Sequence, residues 1–427
     1  MELCELDGLV PAGMRSNSQT QFGVSTNNFE TDSNPFRQSY NGFCWVALHA
    51  YNATMKTTLL GGRTPRNFLR DYWQKKPLLV RGALPDFQGL LARNDLIDLA
   101  CRDDSQSRLV VQQKGEWQVR HGPFVARNFS NLSKKTWTLL VQDVNHFLPA
   151  ARDLLCRFNF IPYARLDDLM VSYAPKGGGV GPHFDSYDVF LLQGMGRRLW
   201  QISAQHDSSL IADAPLKILR NFRPEQEWVL EPGDMLYLPP GYAHNGVAED
   251  DCMTYSIGFR APNYQELATQ FLVYLQDHIK IDGMYRDPDI ALQPHPAQIS
   301  SAMLRQTGVA LGKIKWNNTD IEHFIGIYLT EPKPHVFFTQ PSSPLTQKRF
   351  VQQVKKNGLR LDLKSRMLYR GKIIFLNGDA YPVGAAACRS LEKLADQQEL
   401  AAGEILDAEV TALLHQWYLY GHIEMNS

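Results

Sequence analysis

The sequence predicts an α+β protein: a jelly-roll barrel (a double-stranded β-helix), then a helical region, then a small winged-helix-like domain. Three observations predict it. Between Leu169 and Phe259 short apolar runs follow one another, separated by Gly, Pro and Asp turns, with no room for crossover helices. Strands so spaced are antiparallel and make a barrel or a double-sheet jelly roll. Asn263 then opens a stretch whose apolar residues recur at helical spacing, and a Pro-rich linker separates it from a compact, differently patterned C-terminal part.

Length and charge bound the reading. The 427 residues suit two or three domains, at about 150 residues each. Lys+Arg and Asp+Glu are both 44, so the net charge is zero, and no global basic field exists to hold nucleic acid non-specifically. The six cysteines (Cys4, Cys44, Cys101, Cys156, Cys252, Cys388) are scattered, with no CxxC. That excludes a disulfide framework or a zinc ribbon and fits a reducing compartment. No apolar run reaches the roughly 18 residues of a membrane span. The opening MELCELDGLVPAG is acidic rather than signal-like. The expectation is a soluble cytoplasmic protein.

Residues 1–54 are Asn/Ser/Thr/Gln/Gly-rich and without period. They read as a disordered arm, or as upstream sequence with translation starting at Met55. Residues 55–262 read as the barrel domain. Thr64-Pro65 starts a helix expected to run to Lys76, with Phe68, Leu69, Tyr72 and Trp73 on its apolar face. Leu78–Gly82 reads as a buried strand and Asp95–Cys101 as a short helix. Arg108–Gln113 and Trp117–His121 form a hairpin around Lys114-Gly115. Trp137–Val144 fits a strand or a buried helix, and His146–Phe158 a helix. Leu169–Tyr173, Val189–Gln193, Arg198–Ile202, Glu227–Leu230, Met235–Leu238 and Thr254–Phe259 are the barrel strands.

Residues 263–330 read as helical, with Asn263 capping and Leu267, Phe271, Tyr274, Leu275 and His278 forming a stripe. That stripe either packs back onto the barrel or forms a dimer interface. Residues 331–345 are the linker. Residues 346–427 give a helix, strands with a hairpin at Asn377-Gly378, and two further helices: a winged-helix-like pattern. Its basic residues, Lys348 to Lys372, are offset by acids from Glu392 onward, so a structural or protein-contacting role fits better than direct nucleic-acid binding.

The chemistry concentrates in GGGVGPHFDSYDVFLLQGMGRRLW, residues 177–200. On a strand, residues i and i+2 share a face, so His183 and Asp185 point the same way. Alone, a His-x-Asp pair is a weak signal. Downstream, EPGDMLYLPPGYAH sets His244 just after a Pro-Pro-Gly turn, as the second half of a cupin-like double motif does. His183, Asp185 and His244 then make a 2-His-1-carboxylate triad, the donor set of non-haem Fe(II) oxygenases. Taken alone, His244 would pass for a solvated loop histidine. Arg198 can return into the same barrel from the next strand and clamp the far carboxylate of 2-oxoglutarate through two parallel hydrogen bonds. Arg197 alternates outward, and Ser172 is a second candidate for the same carboxylate.

With PHFDSYDVFLLQGMGRRLWQI and EPGDMLYLPPGYAHNG side by side, the chain resembles the JmjC-type ribosomal oxygenases, and among them the bacterial ribosomal-protein arginine hydroxylases. FLRDYWQKKPLLVRG, KGEWQVRHGPF, LLVQDVNHF and YSIGFRAPN resemble the same family. The resemblance covers residues 55–263 strongly and the C-terminal part more loosely. It implies a JmjC barrel, a helical dimerisation region and a winged helix, hence a homodimer. It implies Fe(II) on His183, Asp185 and His244, and 2-oxoglutarate as co-substrate on Arg198 with Ser172 beside it. The implied reaction hydroxylates an arginine β-carbon of the large-subunit ribosomal protein numbered sixteen. Asp168 and Asp188 are candidates to meet that guanidinium.

Three alternatives stay open on the residues. An N-methyl demethylase of the JmjC type uses the same iron and co-substrate. A hydroxylase acting on a histidine of another ribosomal protein does too. A non-oxidative cupin usually offers His-x-His, where this chain has His183-Phe184-Asp185.

Overall fold

The computed structural model describes residues 58–130, 132 and 136–426. The expectation for residues 1–54 lies outside the described residues.

Helix α1 (Pro65–Asp71) begins as Thr64-Pro65 requires. The Thr64 hydroxyl accepts from the Asn67 amide at 3.2 Å, and Pro65 sits where a missing N–H costs nothing. The helix stops at Asp71, short of Lys76, because the chain turns out at Gln74, whose φ is 56°. The Gln74 amide donates instead to the Tyr237 hydroxyl at 2.8 Å. Then come β1 (Leu78–Val80), α2 (Arg93–Ala100), the hairpin β2 (Ser107–Gln113) and β3 (Glu116–His121), and one turn of helix, α3 (Arg127–Ser130). The segment legible as strand or helix is a strand, β4 (Thr136–Val141). The helix expected over His146–Phe158 is split into a 3-10 turn (Val144–His146) and α4 (Pro149–Cys156), whose Pro149 opens a fresh first turn.

Eight strands complete the barrel: β5 (Leu166–Ala174), β6 (His183–Phe184), β7 (Val189–Met195), β8 (Arg198–Ser203), β9 (Gln226–Leu230), β10 (Met235–Leu238), β11 (Ala243–Ala248) and β12 (Cys252–Phe259). They form an eight-stranded sheet ordered β1-β10-β7-β12-β5-β4-β2-β3 and a four-stranded sheet ordered β6-β11-β8-β9. Every pairing is antiparallel. This is a double-stranded β-helix.

Strand β7 explains why its sequence is apolar throughout: both its faces are covered. Phe190 and Leu192 enter an outer core with Phe68, Phe158, Tyr237 and Phe259. Val189 and Leu191 face the barrel interior with Trp200, Ile202 and Leu236. A one-residue register slip would exchange the two sets, so this strand is firmly fixed.

Helix α5 (Tyr264–His278) is capped by Asn263, whose side chain accepts from the Glu266 amide at 2.8 Å. With α6 (Ser301–Leu311) and α7 (Asn318–Thr330) it makes the helical section. Part of the stripe packs inside it, Phe271 and Tyr274 against Phe324 of α7. Tyr264 and Leu272 of α5, and Leu304 and Val309 of α6, stay exposed.

The C-terminal part runs α8 (Gln347–Asn357), β13 (Leu359–Leu361), β14 (Met367–Arg370), β15 (Ile373–Leu376), β16 (Asp379–Pro382), α9 (Ala385–Gln397), β17 (Glu399–Leu400), α10 (Ala408–Leu419) and β18 (Ile423–Met425). Asn377 and Gly378 both take positive φ in the hairpin turn, as a type I′ turn demands. Strands β17 and β18, too short to read in the sequence, flank β13 in a small sheet. Phe350, Leu391, Leu414 and Trp417 form a separate core. Among the described residues no helix is long and apolar enough to cross a membrane.

Candidate metal centre

The two histidines are brought together by one strand pairing: His183 on β6 stands opposite His244 on β11. Strand β11 was not legible in the sequence, because AHNGVA follows directly on a turn and carries a single β-branched residue. It is a strand because β8 supplies its ladder, Ala243–Ala248 against Arg198–Ser203. Asp185 lies one residue past β6. Its carbonyl accepts from the Gly241 amide at 2.9 Å, tying the Pro-Pro-Gly turn to the first motif. Gly241 has a φ of 77° there, which a β-carbon would strain.

His183 Nε2 is 3.7 Å from Asp185 Oδ1, and His244 Nε2 is 3.5 Å from Asp185 Oδ2. One ligand atom from each residue lies within 4.8 Å of the others. Neighbouring ligands on an octahedral ion with bonds of about 2.1 Å are roughly 3 Å apart, so the three fit one ion after small adjustment. His183 Nδ1 donates to the Gly181 carbonyl and His244 Nδ1 to the Tyr242 carbonyl, each at 2.9 Å. These bonds set the tautomer and leave both Nε2 lone pairs facing Asp185. Burial, then the neighbouring His183, draws the His244 pKa down to about 4, so the ring is neutral and able to ligate.

These residues line a cavity of about 840 Å³, its open mouth included. On its wall, β5 points Asp168, Met170 and Ser172 inward by alternation, with Asp167 at the rim between this cavity and a neighbouring cleft. Arg198, on β8 opposite Ala248, also lines it. The guanidinium is buried and its Nη1 donates to Ser172 Oγ at 3.4 Å, while Nε and Nη2 have no hydrogen-bond partner among the described residues. A buried cation left open on two nitrogens is a strong pull on an anion. The turn that delivers Arg198 depends on Gly196: at φ 59°, an added β-carbon would lie 2.1 Å from the Asp251 carbonyl oxygen. Arg197 points out and pairs with Glu249 and Asp250 at the surface.

The two candidate acids part company. Asp168 lines the cavity, and burial, with the Asp143 and Asp167 charges behind it and Lys333 opposing, pushes its pKa up to about 6. Asp188 is turned away and fully buried, accepting from the Tyr237 hydroxyl at 2.6 Å, Gln74 at 2.9 Å and Arg165 at 3.4 Å. It knits the turn after α1 to the barrel. Asp188→Ala is expected to cost about 3 kcal/mol of stability, since it strands several buried donors. A urea titration checks this; an unchanged midpoint would contradict it.

Three lining residues escaped the sequence reading. Arg108 on β2 is buried with its Nε unpartnered. Trp200 stands between Arg198 and His244. Tyr187 has its phenol held protonated by burial and the nearby carboxylates. Each belongs to a face defined only once the two sheets are assembled.

Residues 153–267 match the JmjC domain family, and residues 313–424 the ROXA-like winged helix family. The chain is 33% identical over 344 residues to the ribosomal protein uL16 3-hydroxylase of Escherichia coli, covering 80% of this chain and 91% of that one. It is 44% identical over 234 residues to a probable ribosomal oxygenase of Haemophilus influenzae, covering 54% of this chain and 55% of the other. A solved structure of the E. coli ribosomal oxygenase YcfD in complex with cobalt and 2-oxoglutarate superposes with a TM-score of 0.72 at 31% identity, covering 85% of this chain and 98% of that one.

Proposed function

The chain belongs to the JmjC-domain ribosomal oxygenases, a family of 2-oxoglutarate-dependent dioxygenases, and from that premise we propose that it hydroxylates the β-carbon of an arginine in uL16. The observation that carries this reading is the cavity itself. It sets a 2-His-1-carboxylate donor set beside a buried guanidinium with two nitrogens free of hydrogen bonds among the described residues, and a carboxyl on the opposite sheet.

In this reading His183, Asp185 and His244 hold the iron. Two neutral imidazoles and one carboxylate are the donors this chemistry uses, and the E. coli structure is a complex with cobalt and 2-oxoglutarate. Bound Fe(II), with 2-oxoglutarate and oxygen, supplies the oxidising power for C–H hydroxylation, the co-substrate ending as succinate and carbon dioxide. Arg198 takes the far carboxylate of 2-oxoglutarate, with Ser172 steadying the guanidinium. The protein's remaining work is to orient the target carbon and keep water out. Asp168, on the cavity wall, is the carboxylate we assign to the substrate guanidinium. The name of the E. coli relative supports uL16 as the target.

The same reading divides the chain at 55–262, 263–330, 331–345 and 346–427. It places the enzyme in the cytoplasm and pairs two copies through the exposed apolar side chains of α5 and α6, among them Leu272, Leu304 and Val309.

Asp168 gives the reading a pH signature. Only the ionised carboxylate pairs with a guanidinium, and its pKa stands at about 6. Activity on the arginine substrate, as kcat/KM, is therefore expected to be full above that value and to fall as pH drops through it. Asp168→Asn is expected to remove this acid limb and to raise the substrate KM. A limb that survives in the asparagine variant would remove Asp168 from the role.

The identity of the reaction is tested by mass spectrometry. Purified protein is incubated with Fe(II), 2-oxoglutarate and recombinant uL16, and the products are sequenced. One added oxygen on an arginine side chain is expected. Released formaldehyde would indicate an N-methyl demethylase instead, and an oxygen on histidine the other hydroxylase class.

A further inference from the structure

The acid-lined end of the cavity is held from outside the barrel. Asp167 and Asp168 open β5, and Asp167 borders both the cavity and a second cleft, which lies between the barrel and the C-terminal part. Across that cleft, Arg366 (just before β14) is half-buried and donates to the Leu166 and Asp167 carbonyls, with its guanidinium 3.8 Å from the Asp167 carboxylate. Lys333, in the segment joining α7 to α8, reaches 2.8 Å from Asp143 and 3.5 Å from Asp167. Asp143 is buried, with φ of 53°, and its amide donates to the Asp168 carboxylate at 3.2 Å. His335 adds a contact to Asp143 at 3.4 Å.

These contacts converge on one short stretch of backbone. A non-glycine residue with positive φ is unusual and persists only where its surroundings over-determine it. Here the surroundings are Lys333 and His335. Asp143 in turn supplies an amide hydrogen bond that fixes the Asp168 carboxylate. Without Lys333, the carboxylates of Asp143 and Asp167 would lose the cation they share. Burial opposes charge at Lys333, but the three aspartates outweigh it and keep the amine firmly protonated. On Asp143 the His335 contact and the Lys333 charge likewise outweigh burial, so it stays ionised.

We propose that Lys333 and Arg366 are positioning residues for substrate binding, through which the C-terminal part braces the acid-bearing end of β5 against the cavity. The winged helix thus acts on the oxygenase reaction as a structural buttress of the substrate pocket. Neither residue touches iron or 2-oxoglutarate in this scheme. The inference rests on the assignment of Asp168 to the substrate guanidinium, made above.

The test compares Lys333→Met, Lys333→Arg and Arg366→Lys with the unaltered full-length chain. Hydroxylation of recombinant uL16 and succinate formation without any protein substrate are measured in parallel. In Lys333→Met the KM for uL16 is expected to rise about tenfold, below the roughly hundredfold that a 1 Å misplacement costs. kcat, the KM for 2-oxoglutarate and substrate-free succinate formation should change less than about twofold. Lys333→Arg keeps the charge and should restore most of the affinity. Arg366→Lys, the milder change on the other side, should raise the KM in the same selective way.

An unchanged uL16 KM in both Lys333→Met and Arg366→Lys overturns the proposal. So does a matching loss of substrate-free succinate formation, because that marks general damage rather than positioning. Failure of the unaltered chain to hydroxylate uL16, with succinate formation intact, would instead strike the assignment of the substrate.

Discussion

Replacing Asp185 with alanine is expected to reduce hydroxylation by more than about a hundredfold, the upper end of what losing even an outer partner of a metal ligand costs. The reasoning is local. Among the described residues, Asp185 is the one carboxylate facing both His183 Nε2 and His244 Nε2. Removing it leaves two imidazoles, with no anion to offset the charge of a divalent ion and too few donors for a facial site. The fold should survive, because Asp185's tie to the second motif runs through its backbone carbonyl and the Gly241 amide. His183→Ala and His244→Ala should act alike. The paired measurements are metal content after incubation with Fe(II) and turnover to succinate. A variant that keeps full metal occupancy and activity would show that these residues are not the ligands.

The second large effect belongs to Arg198. Its Nε and Nη2 have no hydrogen-bond partner among the described residues despite burial, so the apo-protein bears a desolvation cost that an incoming carboxylate relieves. Charge-assisted hydrogen bonds are worth about 1.5–3 kcal/mol each, so losing both bonds of the clamp in Arg198→Ala should raise the KM for 2-oxoglutarate by more than about 100-fold. Iron binding should be unaffected. Arg198→Lys should recover little, since an ammonium cannot reproduce a planar two-point clamp. Ser172→Ala, which removes a single 3.4 Å contact, should cost far less. Removing an unpaired buried charge can also stabilise a protein, so the alanine variant should melt no earlier than the parent. Titrating 2-oxoglutarate against succinate release reads the effect; an unchanged KM would place the far carboxylate elsewhere.

Much of this was legible before the structure, for identifiable reasons. The barrel strands carried apolar runs bounded by Gly, Pro and Asp turns, and the order of the motifs around His183 and His244 survives in three dimensions. Helix starts were readable where a side chain caps them, as at Thr64 and Asn263. What failed depended on partners far along the chain. Helix α1 ends where Tyr237, far downstream, captures the Gln74 amide. Strand β11 exists because β6 and β8 flank it. Asp168 and Asp188 looked equivalent in the sequence, yet one lines the cavity and the other is consumed by Tyr237, Gln74 and Arg165. Alternation could have hinted at this, because Asp168 shares its strand face with Ser172. The bracing by Lys333 and Arg366 had no local signal at all.

The central claim is that this cavity couples the oxidation of 2-oxoglutarate to the hydroxylation of an arginine, both fed by one oxygen molecule. The most direct measurement is an incubation of the full chain with Fe(II), 2-oxoglutarate and uL16 under ¹⁸O-labelled oxygen gas in ordinary water. One labelled atom is expected in the modified arginine and one in succinate. A hydroxyarginine that carries only oxygen from water, or labelled succinate formed with no labelled arginine beside it, would contradict the account.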